Sequence, residues 1–272
     1  MDKPLYQVES LDCLATTIAE IRSLRQGFIT NFFLDAAKHG LWISKGVCFA
    51  ERINSTVFIV KRFDLFWNVF FCSTTLNQLR CDLKRFQMNH GGQSMVFDIV
   101  GREEQCLPIV AALQESQGKV ITSLVRMIRL AEPFDYIPDP SIRKATEEDI
   151  PRVSQFLHSF FDARTEQIPY DEELKNFVLE GHVLLCKDDD EETGFLIYEQ
   201  NNTTLYLRYW FTHPDYRDRK VGSRLLRRFF EEGKATKRQL LWVIRSNENA
   251  IKRYRHYGFE EENMYDYVLQ FN

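Results

Sequence analysis

Past about residue 140 the apolar and polar positions alternate at strand spacing in some stretches and recur at helical spacing in others. Thr146, followed by Glu147, Glu148 and Asp149, opens a helix whose apolar face continues through Leu157, Phe160 and Phe161. A second helix is predicted from about Tyr170 to Glu180, closed near Gly181. Three alternating runs follow, Val183 to Lys187, Gly194 to Glu199 and Thr204 to Thr212, and read as strands. After Pro214 the pattern gives a helix from about Val221 to Lys234, a buried strand at Leu240 to Ile244, a helix from about Asn249 to His256 and a last strand at Tyr265 to Phe271. Alternating strands and helices predict an α/β layer fold: a mixed, partly parallel central sheet flanked by helices. The acids Asp188 to Glu192 suit a solvated hairpin turn.

The upstream half repeats this order in different residues. Val57 to Val60 and Trp67 to Ser73 read as strands, Leu76 to Phe86 as a helix, Met95 to Val100 as a buried strand, Cys106 to Glu115 as a helix and Lys119 to Leu130 as a long strand. Helix, then Gln117-Gly118-Lys119, then strand in one half corresponds to helix, then Tyr257-Gly258-Phe259, then strand in the other. Between the halves, Pro133, Pro138 and Pro140 forbid a regular helix or a central strand. The sequence therefore predicts two copies of one architecture, at 1–132 and 141–272, joined by a proline-rich linker at 133–140.

Composition adds limits. The 272 residues are 44% hydrophobic and 27% charged, enough to bury a sizeable core, and 22 Phe point to a core built from rings or to an apolar cleft. A formal net charge of -4 gives no global attraction to nucleic acid or to an anionic membrane, so any basic site is local. The six cysteines are scattered, with no metal-ligand spacing. No basic leader with an apolar run is present, and no stretch is long enough to span a bilayer, so free thiols in a reducing cytoplasm are expected.

One segment carries chemistry. In His213-Pro214-Asp215-Tyr216-Arg217-Asp218-Arg219-Lys220-Val221-Gly222-Ser223, a strand ends, a basic turn follows and a helix begins at once. The first amides of a helix lack intrahelical acceptors and carry the positive end of its dipole, so such a corner can hold a diphosphate. Gly222 permits close approach to the main chain, and Ser223 offers a hydroxyl. Arg217, Arg219, Lys220, Arg224, Arg227 and Arg228 lie within twelve positions, and only some can face the turn.

This segment resembles the coenzyme A pyrophosphate loop of the GNAT superfamily of N-acyltransferases, with Arg217 at its first position, Gly222 at its last and Lys220 where the first glycine is expected. Asn247-x-Asn249-Ala250, Tyr254 and Gly258-Phe259 are similar to a second segment of that family. The resemblance covers about Ser141 to Asn272 and implies two tandem GNAT-like domains, the first degenerate. It also implies an acetyl-coenzyme A or other acyl-coenzyme A donor, held by Trp210, Phe211, Thr212, Arg217, Arg219, Lys220, Val221, Gly222, Ser223, Asn247, Asn249 and Tyr254.

Acyl transfer from a thioester to an amine needs a polarised carbonyl, a deprotonated amine and a proton for the departing thiolate. The resemblance puts a strand bulge at Tyr209 to Thr212, with the main chain near Trp210 or Phe211 polarising the carbonyl, and makes Tyr254 the general acid. For the base, Glu199 ranks first, with Tyr206, Arg208, Asp162 and Glu166 also in reach of the cleft. The expected acceptor is a primary amine of a small molecule or peptide. Two other readings remain open: a catalytically silent module that binds coenzyme A, and an aminoacyl transferase using charged tRNA, which the acidic net charge and the coenzyme A type loop disfavour. The first half lacks the loop, having only Thr74-Thr75 between strand and helix.

Overall fold

A computed structural model describes residues 2–189 and 191–272, so Asp190, in the acidic run, lies outside the described residues. The chain forms two compact units, Met1–Leu124 with Asn263–Asn272, and Val125–Glu262. This division differs from the one read in the sequence: the first boundary falls inside a strand before the prolines, and the end of the chain belongs to the first unit.

The first unit contains β1 (Lys3–Gln7), α1 (Leu11–Ser23), β2 (Ile29–Thr30), α2 (Ala36–Ser44), β3 (Cys48–Ile53), β4 (Thr56–Arg62), β5 (Trp67–Ser73), α3 (Leu76–Asn89), β6 (Met95–Gly101), α4 (Glu103–Glu115) and the start of β7 (Lys119–Leu130). Strands β3, β4 and β5 are antiparallel neighbours, and β5 then pairs parallel with β6 through Trp67↔Met95 and Asn68↔Val96. Alternate residues of β4, β5 and β6, among them Phe58, Val60, Phe71, Phe97 and Ile99, share one buried cluster with Leu79, Leu83 and Phe86 of α3. The last strand of the chain completes this core: its residues 265–271 pair antiparallel with β6, and Tyr267, Leu269 and Phe271 join the same cluster.

The second unit contains β8 (Ile142–Lys144), α5 (Ile150–Phe160), α6 (Asp171–Leu179), β9 (Val183–Asp188), β10 (Glu191–Asn201), β11 (Thr204–Thr212), α7 (Val221–Glu232), β12 (Arg238–Ile244), α8 (Glu248–His256) and the start of β13 (Glu260–Phe271). Strands β8 to β11 run antiparallel in order, and β12 joins β11 in parallel. Helix α7 forms because Val221, Leu225, Leu226, Phe229 and Phe230 recur at helical spacing and are buried as one stripe. On the opposite face of the sheet, Val153, Phe156 and Leu157 of α5 meet Phe195, Ile197, Tyr209 and Phe211.

Nearly every strand and helix expected after residue 56 is present, with β13 starting five residues early. Along the chain the order β5, α3, β6, α4, β7 is followed by β11, α7, β12, α8, β13, the same alternation. All six cysteines are free. Among the described residues no helix is long and apolar enough to cross a membrane.

Candidate acyl-coenzyme A site

The site begins where β11 loses its parallel neighbour. Pairing with β12 runs from Thr204↔Arg238 to Leu207↔Leu241, while pairing with β10 continues to Thr212. At the same point β11 holds one extra residue: Tyr198 faces Leu207 and Ile197 faces Tyr209, which leaves Arg208 as the bulge. The bulge reverses the side-chain alternation. Leu205 packs beside Gly233 at the end of α7, Tyr209 and Phe211 turn to the α5 face, and Trp210 turns to Gly222 of α7. The irregularity thus lies one residue before the Tyr209 to Thr212 stretch where it was expected.

The turn after β11 keeps the geometry of a glycine loop without its first glycine. Pro214–Arg219 forms a 3-10 turn, and Lys220, which precedes α7, stands at φ 56° and ψ 21°, in the left-handed region. For a residue with a Cβ this costs on the order of 1–2 kcal/mol. The first helical bond of α7 runs from Arg224 N to the Lys220 carbonyl, so the amides of Val221, Gly222 and Ser223 have no intrahelical acceptor. Three adjacent donors at the positive end of a dipole fit a diphosphate.

The cations around this turn divide by partner. Arg224 grips Asp188 with two bonds, at 2.9 and 2.6 Å, and holds that carboxyl below the usual carboxylate range. Arg228 pairs with Glu232 and Arg219 with Asp189 at 2.9 Å. The acidic hairpin is therefore not merely solvated, since it ties two arginines of the turn and helix. Arg217 and Lys220 are exposed and have no ion-pair partner among the described residues.

Several expected ligands have structural duties as well. Val221 is wholly buried, and Phe211 belongs to the α5 core, so only their main chains face the turn. A Cβ on Gly222 would stand 2.9 Å from Trp210 Cζ2 and 3.2 Å from Thr212 Oγ1, so the glycine admits the indole rather than open space. Ser223 Oγ accepts from the Tyr257 hydroxyl at 2.8 Å. Asn247 caps α8, its Oδ1 accepting from Ala250 N at 3.1 Å, and Asn249 is exposed in the first turn of that helix.

Tyr254 is 8% exposed, with its ring 5.4 Å from that of Trp210, centroid to centroid, and its hydroxyl without a hydrogen-bond partner among the described residues. Burial pushes the phenol up, Arg253 opposes this, and the Glu166 charge adds to it. Glu166 lies in the loop after α5, which Tyr209 anchors by donating its hydroxyl to the Gln167 carbonyl at 2.5 Å. Burial raises the Glu166 carboxyl above its ordinary value, against the Asp162 amide that donates to it at 3.1 Å. Its charge reaches both Tyr209 and Tyr254. Glu199, by contrast, forms an ion pair with Arg208, 3.4 Å from Nε to Oε1, and is the more exposed partner. Nothing in the sequence ranked Glu166 above Glu199, because its position depends on a loop anchored across the sheet.

Residues 150–259 match the profile of the Acetyltransferase (GNAT) family. The second unit is a GNAT-family domain. An uncharacterized N-acetyltransferase of Methanocaldococcus jannaschii is 26% identical over 152 residues, 48% of this chain and 65% of that protein, so the match leaves a third of that relative uncovered. A GCN5-related N-acetyltransferase of Sphaerobacter thermophilus superposes with a TM-score of 0.62 at 11% identity, over 98% of this chain and 95% of its own. A tandem GNAT protein from the clavulanic acid biosynthesis pathway superposes with a TM-score of 0.54 at 9% identity, covering 82% of each chain. These structures share the fold of this chain.

Proposed function

We propose that the GNAT unit transfers an acetyl or other short acyl group from an acyl-coenzyme A to a primary amine of a small molecule or peptide, by direct attack on the thioester. The observation that carries this reading is the parting of β11 from β12 at the Arg208 bulge, immediately before three acceptor-free amides at the start of α7. A diphosphate would be held by the amides of Val221, Gly222 and Ser223, with Arg217 and Lys220 adding charge. The bound donor supplies an acyl group activated as a thioester.

The chain's own residues supply the rest. The main chain of β11 past the bulge, no longer paired to β12, offers donors to an acyl oxygen. Glu166, with its carboxyl raised by burial, is suited to take the proton that an ammonium acceptor must lose before it attacks. Tyr254 stays protonated well beyond neutral pH and is suited to give its phenolic proton to the departing sulfur. As the adduct collapses and the C–S bond breaks, the new amide nitrogen gives up its remaining extra proton to solvent, and solvent restores Glu166 and Tyr254. Lys220 supports donor binding, since its left-handed conformation preserves the turn that a glycine would give.

The first unit is proposed to be a degenerate copy that binds no coenzyme A. Its β5 and β6 also part after Asn68↔Val96, but Asn31 spans the gap: Phe71 N donates to Asn31 Oδ1 at 2.7 Å and Asn31 Nδ2 donates to the Asp98 carbonyl at 3.0 Å.

The test is thermal unfolding with and without acetyl-coenzyme A. A ligand at about 100 times its Kd adds about 2.7 kcal/mol of stability. The expected result is a clear rise in Tm that Arg217→Ala reduces. No rise at saturating donor, with Arg217→Ala indistinguishable from the parent, would count against the proposal.

A further inference from the structure

The indole of Trp210 closes the space between α7 and α8. Its Nε1 donates to the Gly222 carbonyl at 3.1 Å, and its Cζ2 lies where a Cβ of residue 222 would collide. On the other side its ring meets Tyr254 at 5.4 Å and Tyr257 at 6.5 Å, centroid to centroid, with the Arg253 guanidinium 6.0 Å from it. Tyr254 in turn packs on Phe259 at 5.9 Å, and Phe259 on Phe230 at 6.3 Å. The wedge is therefore continuous from the start of α7 to the end of α8, and it is fixed at both ends, by a hydrogen bond on one and by a buried ring on the other.

The Arg208 bulge decides which side Trp210 occupies. Without the extra residue, position 210 would share a face with Tyr206 and point toward α5. With it, Trp210 and Tyr254 bracket the segment of β11 main chain to which the proposed function assigns the acyl carbonyl, while Tyr209, Phe211 and Glu166 lie on the α5 side. A longer acyl chain needs a dry apolar channel on the bracketed side, where the rings of Trp210 and Tyr254 stand 5.4 Å apart, centroid to centroid.

We infer that Trp210 sets the upper limit on the acyl group, so that the donor is acetyl- or propionyl-coenzyme A rather than a medium- or long-chain thioester. This inference rests on the reading of the turn as a coenzyme A site. An apolar seat is worth about fourfold in affinity per buried methylene, and that gain is denied to longer chains as long as the indole is in place.

The experiment is calorimetric binding of free coenzyme A, acetyl-coenzyme A and hexanoyl-coenzyme A to the full chain and to Trp210→Leu and Trp210→Phe. In the parent, hexanoyl-coenzyme A is expected to bind at least tenfold more weakly than acetyl-coenzyme A. The ratio falls to unity or below in Trp210→Leu and lies between in Trp210→Phe, which retains a ring and carries the comparison if the leucine variant does not fold. A parent that binds both thioesters equally, or a ratio that neither variant changes, overturns the inference while leaving the coenzyme A site intact. Absence of binding by free coenzyme A as well overturns the site itself, and the inference with it.

Discussion

Arg208 Nε lies 3.4 Å from Glu199 Oε1, so the carboxylate that the sequence favoured as a base is already paired to the guanidinium on the β-bulge. Glu166 has no such partner among the described residues and is raised by burial. In an assay of coenzyme A release with an amine acceptor, Glu199→Gln is expected to change kcat less than about fivefold, whereas Glu166→Gln lowers it by about 10² to 10⁴. The pH profile separates the two further. Activity of the parent rises as Glu166 loses its proton, at a pH above its ordinary value of 4.5. That acid limb is retained in Glu199→Gln and lost in Glu166→Gln. The reverse pattern would return the role to Glu199.

Lys220 spends conformational energy to hold its left-handed backbone, and glycine would not. Lys220→Gly removes strain on the order of 1–2 kcal/mol but loosens the unfolded chain by up to about 1 kcal/mol, so a net gain of about 0.5 to 1 kcal/mol is expected from urea unfolding. The same change deletes one of the exposed cations at the turn. Affinity for acetyl-coenzyme A should weaken a few-fold at low salt, and the difference should shrink at high ionic strength as screening removes the ammonium's contribution. A salt-independent loss would show that the backbone of this residue matters and its charge does not.

Asn247 and Gly222 were both expected to serve the donor, and each also has a structural duty. Asn247 caps α8 through Ala250 N, so Asn247→Ala should cost about 0.5 to 2 kcal/mol of stability with less than a threefold change in acetyl-coenzyme A affinity. Gly222→Ala forces a methyl to within 2.9 Å of the indole. The expected cost is about 1 to 3 kcal/mol, accompanied by a shift in tryptophan emission as the ring leaves the Gly222 carbonyl. Unchanged emission would mean that the turn moves and the ring does not.

How far the sequence could be read depended on whether a feature is announced locally. The turn at Pro214, the helix from Val221 and the helix that ends before Tyr257-Gly258-Phe259 each carry their signal within a few residues, and all are where the pattern put them. The Arg208 bulge does not, since an extra residue is visible only against the register of β10. Nor does the destination of β13: Tyr265, Tyr267, Leu269 and Phe271 alternate as a strand must, but alternation says nothing about which sheet receives it, and it pairs with β6 in the first unit. The opening elements β1, α1, α2 and β3 lay outside that reading although part of their signal is local: Ser10 and Asp35 cap α1 and α2, and α1 buries Leu14, Thr17, Ile18 and Ile21 at helical spacing.

The first unit gives the last prediction. Asn31 satisfies Phe71 N and the Asp98 carbonyl in the gap between β5 and β6, and Thr30 Oγ1 beside it donates to the Phe71 carbonyl at 2.7 Å. The segment thus takes up main-chain groups that the parting strands leave open. Asn31→Ala strands at least two of those groups away from partners, at about 1 to 3 kcal/mol each if water does not reach them. A fall in stability of about 2 kcal/mol or more by urea unfolding is expected, with protection of the Phe71 amide against hydrogen exchange lost selectively. Acetyl-coenzyme A should still bind with one site per chain in that variant, since the α7 turn is untouched. A second site appearing in Asn31→Ala would show that the segment masks a working cleft, and the first unit would then have to be regarded as a closed copy of the second rather than a degenerate one.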